Sequence, residues 1–499
     1  MTLLKGHKRI TMTTLNKSFI DSKGLPEHIS PPSANWDSLP DKVLQFGTGV
    51  LLRGLPDYFI DKANRQGQFN GRVVVVKSTE TGGLDDFTSQ DGLYTLHVKG
   101  IYKGQQLEES IVISSISKVL SAVEQWEAVL DTAILPSLEI VLSNTTEAGI
   151  VLDERDDLDA HPPVTFPGKL TTLLYKRYQH FNKDTSKGLV ILPTELIPEN
   201  GAKLKEIIIK LAQLNKLDED FVDWLHEGNH FCNTLVDRIV PGKLSEADQA
   251  AMEQQLGYTD GLAILAEPFK LWAIETESPQ VVNTLSFGQF DEGIVIVPSI
   301  WKYKELKMRL LNGSHSFCCG LAMLCGFTTV RDAMQNADFA NYVRLLMEQE
   351  IVPTIISSDI SADEALDFGS TIIDRFSNPF IEHKWMSISM NYTFKMQVRN
   401  VPLIEGYMQK QHCVPKYMVL GFAAYLHLMK AGTTLDEQAT LFADLSTGYD
   451  TEQVINRLLK NKEVWKTDLS LLPGFAEAVA DDYHLLQNNN ALTVIKQLK

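Results

Sequence analysis

An apolar segment, Val43-Leu-Gln-Phe46, runs directly into Gly47-Thr48-Gly49-Val-Leu-Leu-Arg53-Gly54, and this junction is the most informative part of the chain. The residues before the glycines predict a buried strand, and those after them predict a helix. The first glycine permits a tight turn, and the second lets backbone N–H groups approach a pyrophosphate at the positive end of the helix. The junction therefore predicts a strand, turn and helix that bind a dinucleotide.

A purely conformational role for these glycines is the alternative, because the full G-x-G-x-x-G pattern is absent and Leu52 occupies its third glycine position. The next apolar strand, Arg72–Val76, ends about thirty residues after Gly47, as a βαβ unit requires. This spacing favours the nucleotide site. Arg53 either contacts the phosphates or caps the turn. The other candidate cofactor contacts in the junction are Phe46, Gly47, Thr48 and Gly49.

The end of the second strand carries the signal for cofactor preference, in the sequence Lys77-Ser-Thr-Glu80. An acidic residue here binds the ribose 2′-hydroxyl of NAD, whereas a basic residue pairs with the 2′-phosphate of NADP. A solvated loop explains the same residues without a ligand. We expect NAD, with Glu80 at the ribose.

Apolar runs alternate with helical patterns from residue 41 to about residue 299, and long 3.6-residue periodicity dominates after Ser299. The runs are rich in Val and Ile and apolar on both faces, which is typical of parallel strands covered by helices. The predicted strands are Val43–Phe46, Val73–Val76, Ile111–Ile116, Leu138–Leu142, Leu189–Leu192 and Ile294–Val297. We expect an α/β domain over residues 41–299 and a mainly α-helical domain over residues 300–499. Residues 1–40 are polar and contain four prolines, which predicts a loose N-terminal arm.

The composition limits the class of protein. The 499 residues carry a formal net charge of −17. Such a chain is a poor general binder of nucleic acid or of anionic membranes, since both need a basic face. The five cysteines form an odd and sparse set that fits reduced thiols, and the N-terminus lacks the apolar core of a secretory signal. We therefore expect a cytoplasmic protein without a membrane-spanning helix.

His226-Glu227-Gly-Asn-His230 matches H-E-x-x-H, the pattern in which two histidines on one helical face bind zinc and the glutamate acts as general base. Gly228 and Asn229 are poor helix formers, and no third ligand follows at a familiar spacing. The end of a helix over Glu219–Leu225 explains the same residues. We expect no metal site, and a zinc hydrolase stands as the alternative from a different functional class.

The segment from Lys307 to His315 combines a lysine, an amide and an imidazole. At 100° per residue, Lys307, Asn312 and His315 fall on one side of a helix. A lysine whose pKa is lowered by burial is a usable acid or base near neutral pH, and the other two groups can bind a carbonyl oxygen and the alkoxide that it becomes. A helix with a solvated lysine, an Asn-Gly break and a core histidine is the structural alternative.

Lys307, Asn312 and His315 have the spacing Lys-x4-Asn-x2-His, and with Leu311-Asn-Gly-Ser-His315 they resemble the signature of the polyol-specific long-chain dehydrogenases, also called the mannitol dehydrogenase family. The resemblance covers about residues 41–430 and is strongest in the string Ser143–Ile150. Other segments that carry it are Gln45–Gly49, Gln90–Tyr94, Glu195–Ile197, Leu235–Val240 and Arg375–Pro379.

The resemblance implies a Rossmann-type N-terminal domain and a helical C-terminal domain. It also implies hydride transfer between NAD(H) and a sugar acid, a reaction that interconverts D-tagaturonate and D-altronate. It also implies that Lys307 is the general acid/base and that Asn312 and His315 stabilise the oxyanion. Asn144 and Glu147 are then expected near the nicotinamide. The residues expected at the substrate are Glu195, Asp237, Arg375 and Asn378.

Several functions stay open at this point. Within the family, the alternatives are a fructuronate reductase and a mannitol or polyol-phosphate dehydrogenase. A non-catalytic nucleotide sensor would retain Gly47 and Gly49 without needing the lysine, asparagine and histidine together. A uronate also carries a carboxylate, which calls for a cation. The candidate cations are Arg375, Lys384 and Arg399.

Overall fold

The computed structural model describes residues 12–79, 82–145, 148–242, 245–438 and 450–498. They form two compact units. The N-terminal unit contains the described residues up to Lys99 together with Leu107–Ile300, and the C-terminal unit contains Gly100–Gln106 and the described residues from Trp301 onward. The predicted dinucleotide turn belongs to the first unit and the Lys307–His315 motif to the second.

The strands of the described residues are mostly short. In chain order they are β1 (Ile29–Ser30), β2 (Asp41–Phe46), β3 (Arg72–Lys77), β4 (Tyr94–Tyr102), β5 (Gln105–Ile113), β6 (Ile116–Ser121), β7 (Ile140–Ser143), β8 (Val190–Pro193), β9 (His230–Phe231), β10 (Thr234–Asp237), β11 (Ile264–Ala266), β12 (Leu271–Glu275) and β13 (Ile294–Val297). Among these residues, two smaller sheets have the orders β1-β5-β4-β11 and β10-β12-β13.

The central sheet has six strands in the order β6-β3-β2-β7-β8-β9, and its described pairs are all parallel. Counted from β2 as its first strand, this order is 3-2-1-4-5-6, the doubly wound arrangement of dinucleotide-binding domains. Alternate side chains of β2 and β3 enter two different apolar clusters, one on each face. Both faces are therefore covered, as the apolar runs predicted.

Helices cover the sheet and connect its parallel strands. Those of the N-terminal unit are Lys17–Lys23, Val50–Gly54, Pro56–Arg65, Asp85–Ser89, Trp126–Ala133, Phe166–His180, Asn200–Leu214, Glu219–Gly228, Glu246–Leu256 and Pro279–Thr284, with short 3₁₀ turns at Trp36–Ser38, Thr185–Lys187 and Ser286–Gln289. No helix of the described ranges is both long and apolar enough to cross a bilayer.

The predicted strand Ile111–Ile116 is in fact the end of one strand and the start of another. Ser114 lies at the break between β5 and β6, where its backbone N–H and its hydroxyl both donate to Asp61 Oδ1 at 2.8 Å. This buried carboxylate binds the backbone in place of a strand partner. A run of apolar residues gives no sign of such a long-range contact.

Residues 12–38 pack within the N-terminal unit, which corrects the prediction of a loose arm for this part of residues 1–40, whereas residues 1–11 lie outside the described residues. Leu15, Phe19, Ile29 and Trp36 are buried, and β1 pairs in parallel with β5. The residues that complete their cluster are Leu93, Val112, Leu256 and Tyr258. The apolar side chains of this segment are scattered singly among prolines and polar residues, so composition alone conceals that they share one cluster.

The C-terminal unit is helical. Its helices are Trp301–Leu306, Ser314–Leu324, Val330–Met334, Ala337–Leu345, Val352–Ile355, Ala362–Phe376, Trp385–Ile388, Tyr392–Lys395, Val401–Gln411, Lys416–Ala431, Thr451–Leu459, Lys462–Trp465, Phe475–Asn488 and Ala491–Gln497, with a 3₁₀ turn at Leu469–Leu471. The predicted class, a Rossmann-type N-terminal domain followed by a helical C-terminal domain, is confirmed.

The helix Ser314–Leu324, which carries His315, packs closely against the buried helix Lys416–Ala431. A Cβ on Gly320 would lie 2.9 Å from the backbone carbon of Ala424, and one on Gly421 would lie 2.7 Å from the carbonyl oxygen of Phe317. Both glycines are therefore required by the close approach of the two helices. This contact fixes the helix from which His315 projects.

Three segments of the C-terminal unit are π-helical: Lys307–Gly313, Leu346–Ile351 and Met396–Asn400. A π turn pairs residue i with residue i+5, so residues five apart lie more nearly on one side than in an α-helix. Lys307 and Asn312 have this separation. The assumption of 100° per residue across the motif was therefore wrong, and the wider turn aligns these two side chains better.

Candidate active site

Two glycines with different requirements shape the turn after β2. Gly47 has a φ of 127°, and a Cβ on it would lie 3.0 Å from both the Asn144 carbonyl oxygen and Leu52 Cδ1. Gly49 has a φ of −64°, and a Cβ on it would meet nothing within 4 Å. Gly47 is therefore needed for the conformation of the turn, whereas the open space at Gly49 suits a pyrophosphate lying against the backbone.

Asn144 and Glu195 brace the carboxyl ends of β7 and β8, next to the point where the strand order reverses. Asn144 Nδ2 donates to the carbonyl and hydroxyl oxygens of Thr194 at 3.2 and 3.0 Å. The buried Glu195 accepts from Ser143 Oγ at 3.0 Å and from the N–H and hydroxyl of Thr145, each at 2.9 Å. Burial raises the pKa of Glu195, although these hydrogen bonds oppose the rise. Its carboxyl group thus holds together the backbone at the carboxyl ends of these two strands.

Arg53 points into the N-terminal unit, which corrects the expectation that it contacts the cofactor phosphates. Its Nη1 donates to the carbonyl oxygen of Leu262 at 2.5 Å, and its guanidinium lies over the rings of Phe87 and Tyr94. The Tyr94 hydroxyl donates to the Arg53 carbonyl oxygen at 2.7 Å. Arg53 therefore anchors the helix after the glycine turn to the interior of the unit.

The other predicted cofactor residues differ in how far they are buried, and two of them lie outside the described residues. Phe46 is buried under the turn, 5.1 Å from the ring of Phe166, and Thr48 is partly exposed in the turn itself. Lys77 is buried at the end of β3, and its Nζ donates to the carbonyl oxygen of Thr79 at 2.5 Å, so its ammonium is engaged by its own loop. Glu80 and Glu147 lie outside the described residues and remain expectations.

Asp237 is buried at the end of β10, and its neighbour Arg238 ties that end to the glycine turn. Arg238 Nη1 donates to the carbonyl oxygen of Gly54 at 2.5 Å, and its Nε donates to that of Glu267 at 2.9 Å. Gly54 is the last residue of the helix that follows the glycines. Asp237 therefore shares one rigid framework with the predicted dinucleotide turn.

In the C-terminal unit, the π segment Met396–Asn400 holds the Lys307–His315 motif in place. Asn400 Nδ2 donates to the carbonyl oxygen of Gly313 at 2.9 Å, and Arg399 Nη1 lies 3.5 Å from that of Asn312. Lys307 and Asn312 are both partly exposed, so a bound molecule can reach them. The segment Met396–Asn400 thus fixes the turn that presents the asparagine.

His315 is a buried, neutral imidazole. Its ring stacks on Phe376 with 4.1 Å between centroids and meets His383 edge-on at 5.1 Å. Burial lowers the pKa of His315 well below its usual value, and neighbouring positive charges lower it further. Those neighbours are His383, Arg375, Arg399 and Lys395. Nε2 is buried and has no hydrogen-bond partner within the described ranges. It can therefore bond to the oxygen of a ligand.

The remaining predicted substrate residues differ in exposure. Arg375 and Asn378 are buried at and just after the end of the helix Ala362–Phe376, and Asn378 Oδ1 accepts from the N–H of Phe380 at 2.9 Å. Lys384 is exposed and pairs with Glu382 at 3.5 Å. Lys384 is therefore a surface charge and not a candidate for the carboxylate.

The H-E-x-x-H alternative lacks its geometric basis. His226 lies in the last turn of the helix Glu219–Gly228, Asn229 is extended, and His230 begins β9. The two histidines therefore do not share one helical face. Over the described parts of the chain, no group of three or more His, Cys, Asp or Glu side chains is placed to hold a metal ion.

Comparison with known families matches both units. The mannitol dehydrogenase Rossmann domain matches residues 41–285, and the mannitol dehydrogenase C-terminal domain matches residues 299–487. The chain belongs to the mannitol dehydrogenase family. The resemblance of the chain to this family is thereby confirmed.

Similar members of the mannitol dehydrogenase family include altronate oxidoreductases. The one from Bacillus subtilis (strain 168) is 37% identical over 89% of this chain and 92% of its own, and the one from Escherichia coli O1:K1 / APEC is 34% identical over 92% and 97%. Two solved structures share the fold. Pseudomonas fluorescens mannitol 2-dehydrogenase, in a ternary complex with NAD and D-mannitol, has a TM-score of 0.70 at 24% identity over 97% of this chain and 99% of its own. Substrate-free D-sorbitol dehydrogenase has a TM-score of 0.80 at 20% identity over 97% and 100%.

In this member of the mannitol dehydrogenase family, sequence reasoning named Arg375 and Arg399 but missed the other residues that surround His315. Lys395 lies four residues before Arg399, a spacing that places two cations on one helical face and could have drawn attention. His383 and Asn400 carried no such signal, because their roles depend on helices brought together by the fold. Phe376, beside the predicted Arg375, had the pattern of an ordinary core residue.

Replacing Gly49 by alanine is expected to raise the dissociation constant for NADH by about tenfold or more without lowering the melting temperature. Its φ suits alanine and its Cβ would meet no protein atom, so the fold is unaffected, while the methyl group would occupy the space proposed for the pyrophosphate. Fluorescence titration and thermal unfolding measure the two effects. Gly369→Ala, where a Cβ also meets nothing within 4 Å, is the matched control. Unchanged NADH affinity in a folded Gly49→Ala variant would contradict the placement.

Proposed function

We propose that this enzyme interconverts D-tagaturonate and D-altronate by hydride transfer with NAD(H). The observation that carries the proposal is the similarity to altronate oxidoreductases, at 34–37% identity over about nine-tenths of the chain. The Rossmann-type order of the central sheet and the turn at Gly47 and Gly49 support a dinucleotide cofactor. The Lys307, Asn312 and His315 set supports carbonyl chemistry.

The residues of the N-terminal unit fit a dinucleotide. The open space at Gly49 accommodates a pyrophosphate, and Asn144 lies at the strand end beside it. Bound NADH supplies the hydride that reduces the ketone carbon. Glu195 keeps the strand ends in position, and Asp237 is fixed on the same framework through Arg238.

The residues of the C-terminal unit handle the oxygen and the proton. Lys307 donates a proton to the oxygen of the reduced carbon and accepts one in the direction of altronate oxidation. Asn312 and the neutral His315 hydrogen-bond the same oxygen and stabilise the negative charge that develops on it. Arg375 and Asn378 orient the substrate's hydroxyl groups. Lysine and hydrogen bonds can together stabilise the alkoxide in this way.

A substrate panel tests the proposal. Purified enzyme is mixed with NADH and, in parallel, with tagaturonate, fructuronate and fructose, and the absorbance of NADH is followed. We expect the highest kcat/KM with tagaturonate and a higher rate with NADH than with NADPH. A preference for fructuronate or for fructose would favour one of the other activities of the family. Loss of activity on strong chelation would revive the zinc hypothesis.

We further propose that the protein acts in the cytoplasm on a small sugar acid, without a nucleic-acid partner. The described cysteines are all free thiols, which supports a reducing compartment. The net charge of −17 disfavours polyanions at the surface but not small anions in a site with positive walls.

A further inference from the structure

We infer that Arg399 binds the carboxylate of the substrate and so selects a sugar acid over a neutral sugar. The inference rests on the proposed function, because it names the group that recognises the acid end of that substrate. A carboxylate distinguishes a hexuronate from a ketohexose of the same length. An arginine matches its two oxygens with two parallel N–H groups.

Arg399 is partly buried and has neither an acidic partner nor a full set of main-chain acceptors among the described residues. Nearby carboxylates oppose the lowering of the pKa of Arg53, Arg72 and Arg238, and Arg177 donates to four main-chain carbonyl oxygens. Burial alone lowers the pKa of Arg399 to about 10. Partial burial of a positive charge without a counter-ion is unfavourable, so a bound anion would offset that cost.

The hydrogen bonds of Arg399 leave most of its guanidinium available. Nη1 lies 3.5 Å from the carbonyl oxygen of Asn312 and 3.3 Å from Ser316 Oγ. Within the described residues, its side chain makes no other hydrogen bond and no ion pair. These two contacts hold the guanidinium alongside the turn that carries Asn312 and His315, and they leave Nε and Nη2 for a ligand.

The surroundings of Arg399 are positive. Lys395, one turn earlier, donates from Nζ to the carbonyl oxygen of Ile388 at 2.8 Å, and its pKa is lowered by burial and by the charge of Arg399. His315 adds no charge because its imidazole is neutral. Arg375, a buried cation nearby, is already engaged within the chain. These charges therefore favour an anion here, and Arg399 can donate to it from Nε and Nη2.

Kinetics of Arg399→Met test the assignment. Methionine keeps much of the aliphatic volume of the side chain and removes the positive charge and the two parallel N–H groups. We expect KM for tagaturonate to rise by about a hundredfold while kcat stays within about threefold, because the carboxylate is remote from the reacting carbonyl. Arg399→Lys keeps the positive charge but loses the two parallel N–H groups, so we expect its KM for tagaturonate to lie between those of the parent enzyme and Arg399→Met. Lys384→Met removes a surface cation of the same unit and is the matched control, with unchanged constants.

Thermal unfolding and NADH titration accompany the kinetics, so that a folding defect is recognised. If the melting temperature and NADH affinity of Arg399→Met match the parent enzyme and KM rises alone, the assignment holds. An unchanged KM, or equal losses in Arg399→Met and Lys384→Met, overturns it. Should Arg399→Met unfold, the folded Arg399→Lys variant decides by the same comparison. A parent enzyme inactive with tagaturonate would instead overturn the proposed function.

Discussion

The Lys307→Ala variant is expected to lose activity by about a thousandfold or more in kcat, at every pH at which the enzyme is folded. General acid–base catalysis by a placed side chain contributes about 10²–10⁴-fold, and alanine leaves no group to deliver the proton. The π turn from Lys307 to Gly313 brings the lysine nearly into line with Asn312, on the side of the helix that carries the motif. Single-turnover rates of NADH oxidation with saturating tagaturonate measure the chemical step.

Lys302→Ala is the control for this result. Lys302 lies in the preceding helix, and its Nζ is 2.8 Å from Glu364 Oε1 in a largely solvated ion pair. Such pairs contribute little, so we expect kcat within about threefold of the parent enzyme. Near-normal turnover in Lys307→Ala would remove the lysine from the mechanism, and equal losses in both variants would point to a general charge effect.

The His315→Phe variant is expected to lower kcat by about a hundred- to a thousandfold without loss of stability. Phenylalanine preserves the stacking on Phe376 and the packing near Trp385, and it removes only the ring nitrogens. Since Nε2 has no partner among the described residues, its removal breaks no bond of the folded chain and leaves the substrate oxygen without a hydrogen bond. Steady-state kinetics and thermal unfolding of the same preparation separate the two effects.

The matched control is His427→Phe. Nδ1 of His427 is likewise buried without a partner, and its ring lies 5.3 Å from that of Tyr483, away from the motif. We expect unchanged kinetics in this variant.

Because the pKa of His315 is far below 6.5, the imidazole is neutral across the neutral range, and the pH profile of the parent enzyme should show no inflection near pH 6.5 from this group. A folded His315→Phe variant with normal kcat would refute the role of the imidazole.

Local patterns predicted much of the fold. The runs that became β2, β3, β7 and β8 are apolar on both faces, and this pattern survives in any tertiary context that buries both faces. The packed N-terminal segment escaped prediction because Phe19 and Trp36 meet Tyr258 and its neighbours across more than two hundred residues of sequence. Single apolar residues in a polar segment give no period from which such contacts can be inferred.

Candidate site residues could be proposed from sequence where spacing itself encodes the chemistry. Lys307, Asn312 and His315 were singled out because their separation is a motif, and Gly47 because a turn needs its conformation. For Arg53 the sequence left phosphate contact and capping of the turn open, since it does not tell whether an arginine in this helix points outward or under the helix. The charges around His315 come from the end of the helix Ala362–Phe376, from the loop at His383 and from the helical stretch that carries Lys395 and Arg399, so only the folded chain brings them together.

The π turn at Lys307–Gly313 also limits how the motif can change in evolution. Deleting one residue between Lys307 and Asn312 would turn the wide loop into an ordinary helical turn and rotate the lysine away from the amide. Inserting one residue there would rotate the lysine away from the amide in the opposite direction. Searches for related enzymes should therefore tolerate substitutions at the intervening positions but no gap between the lysine and the asparagine.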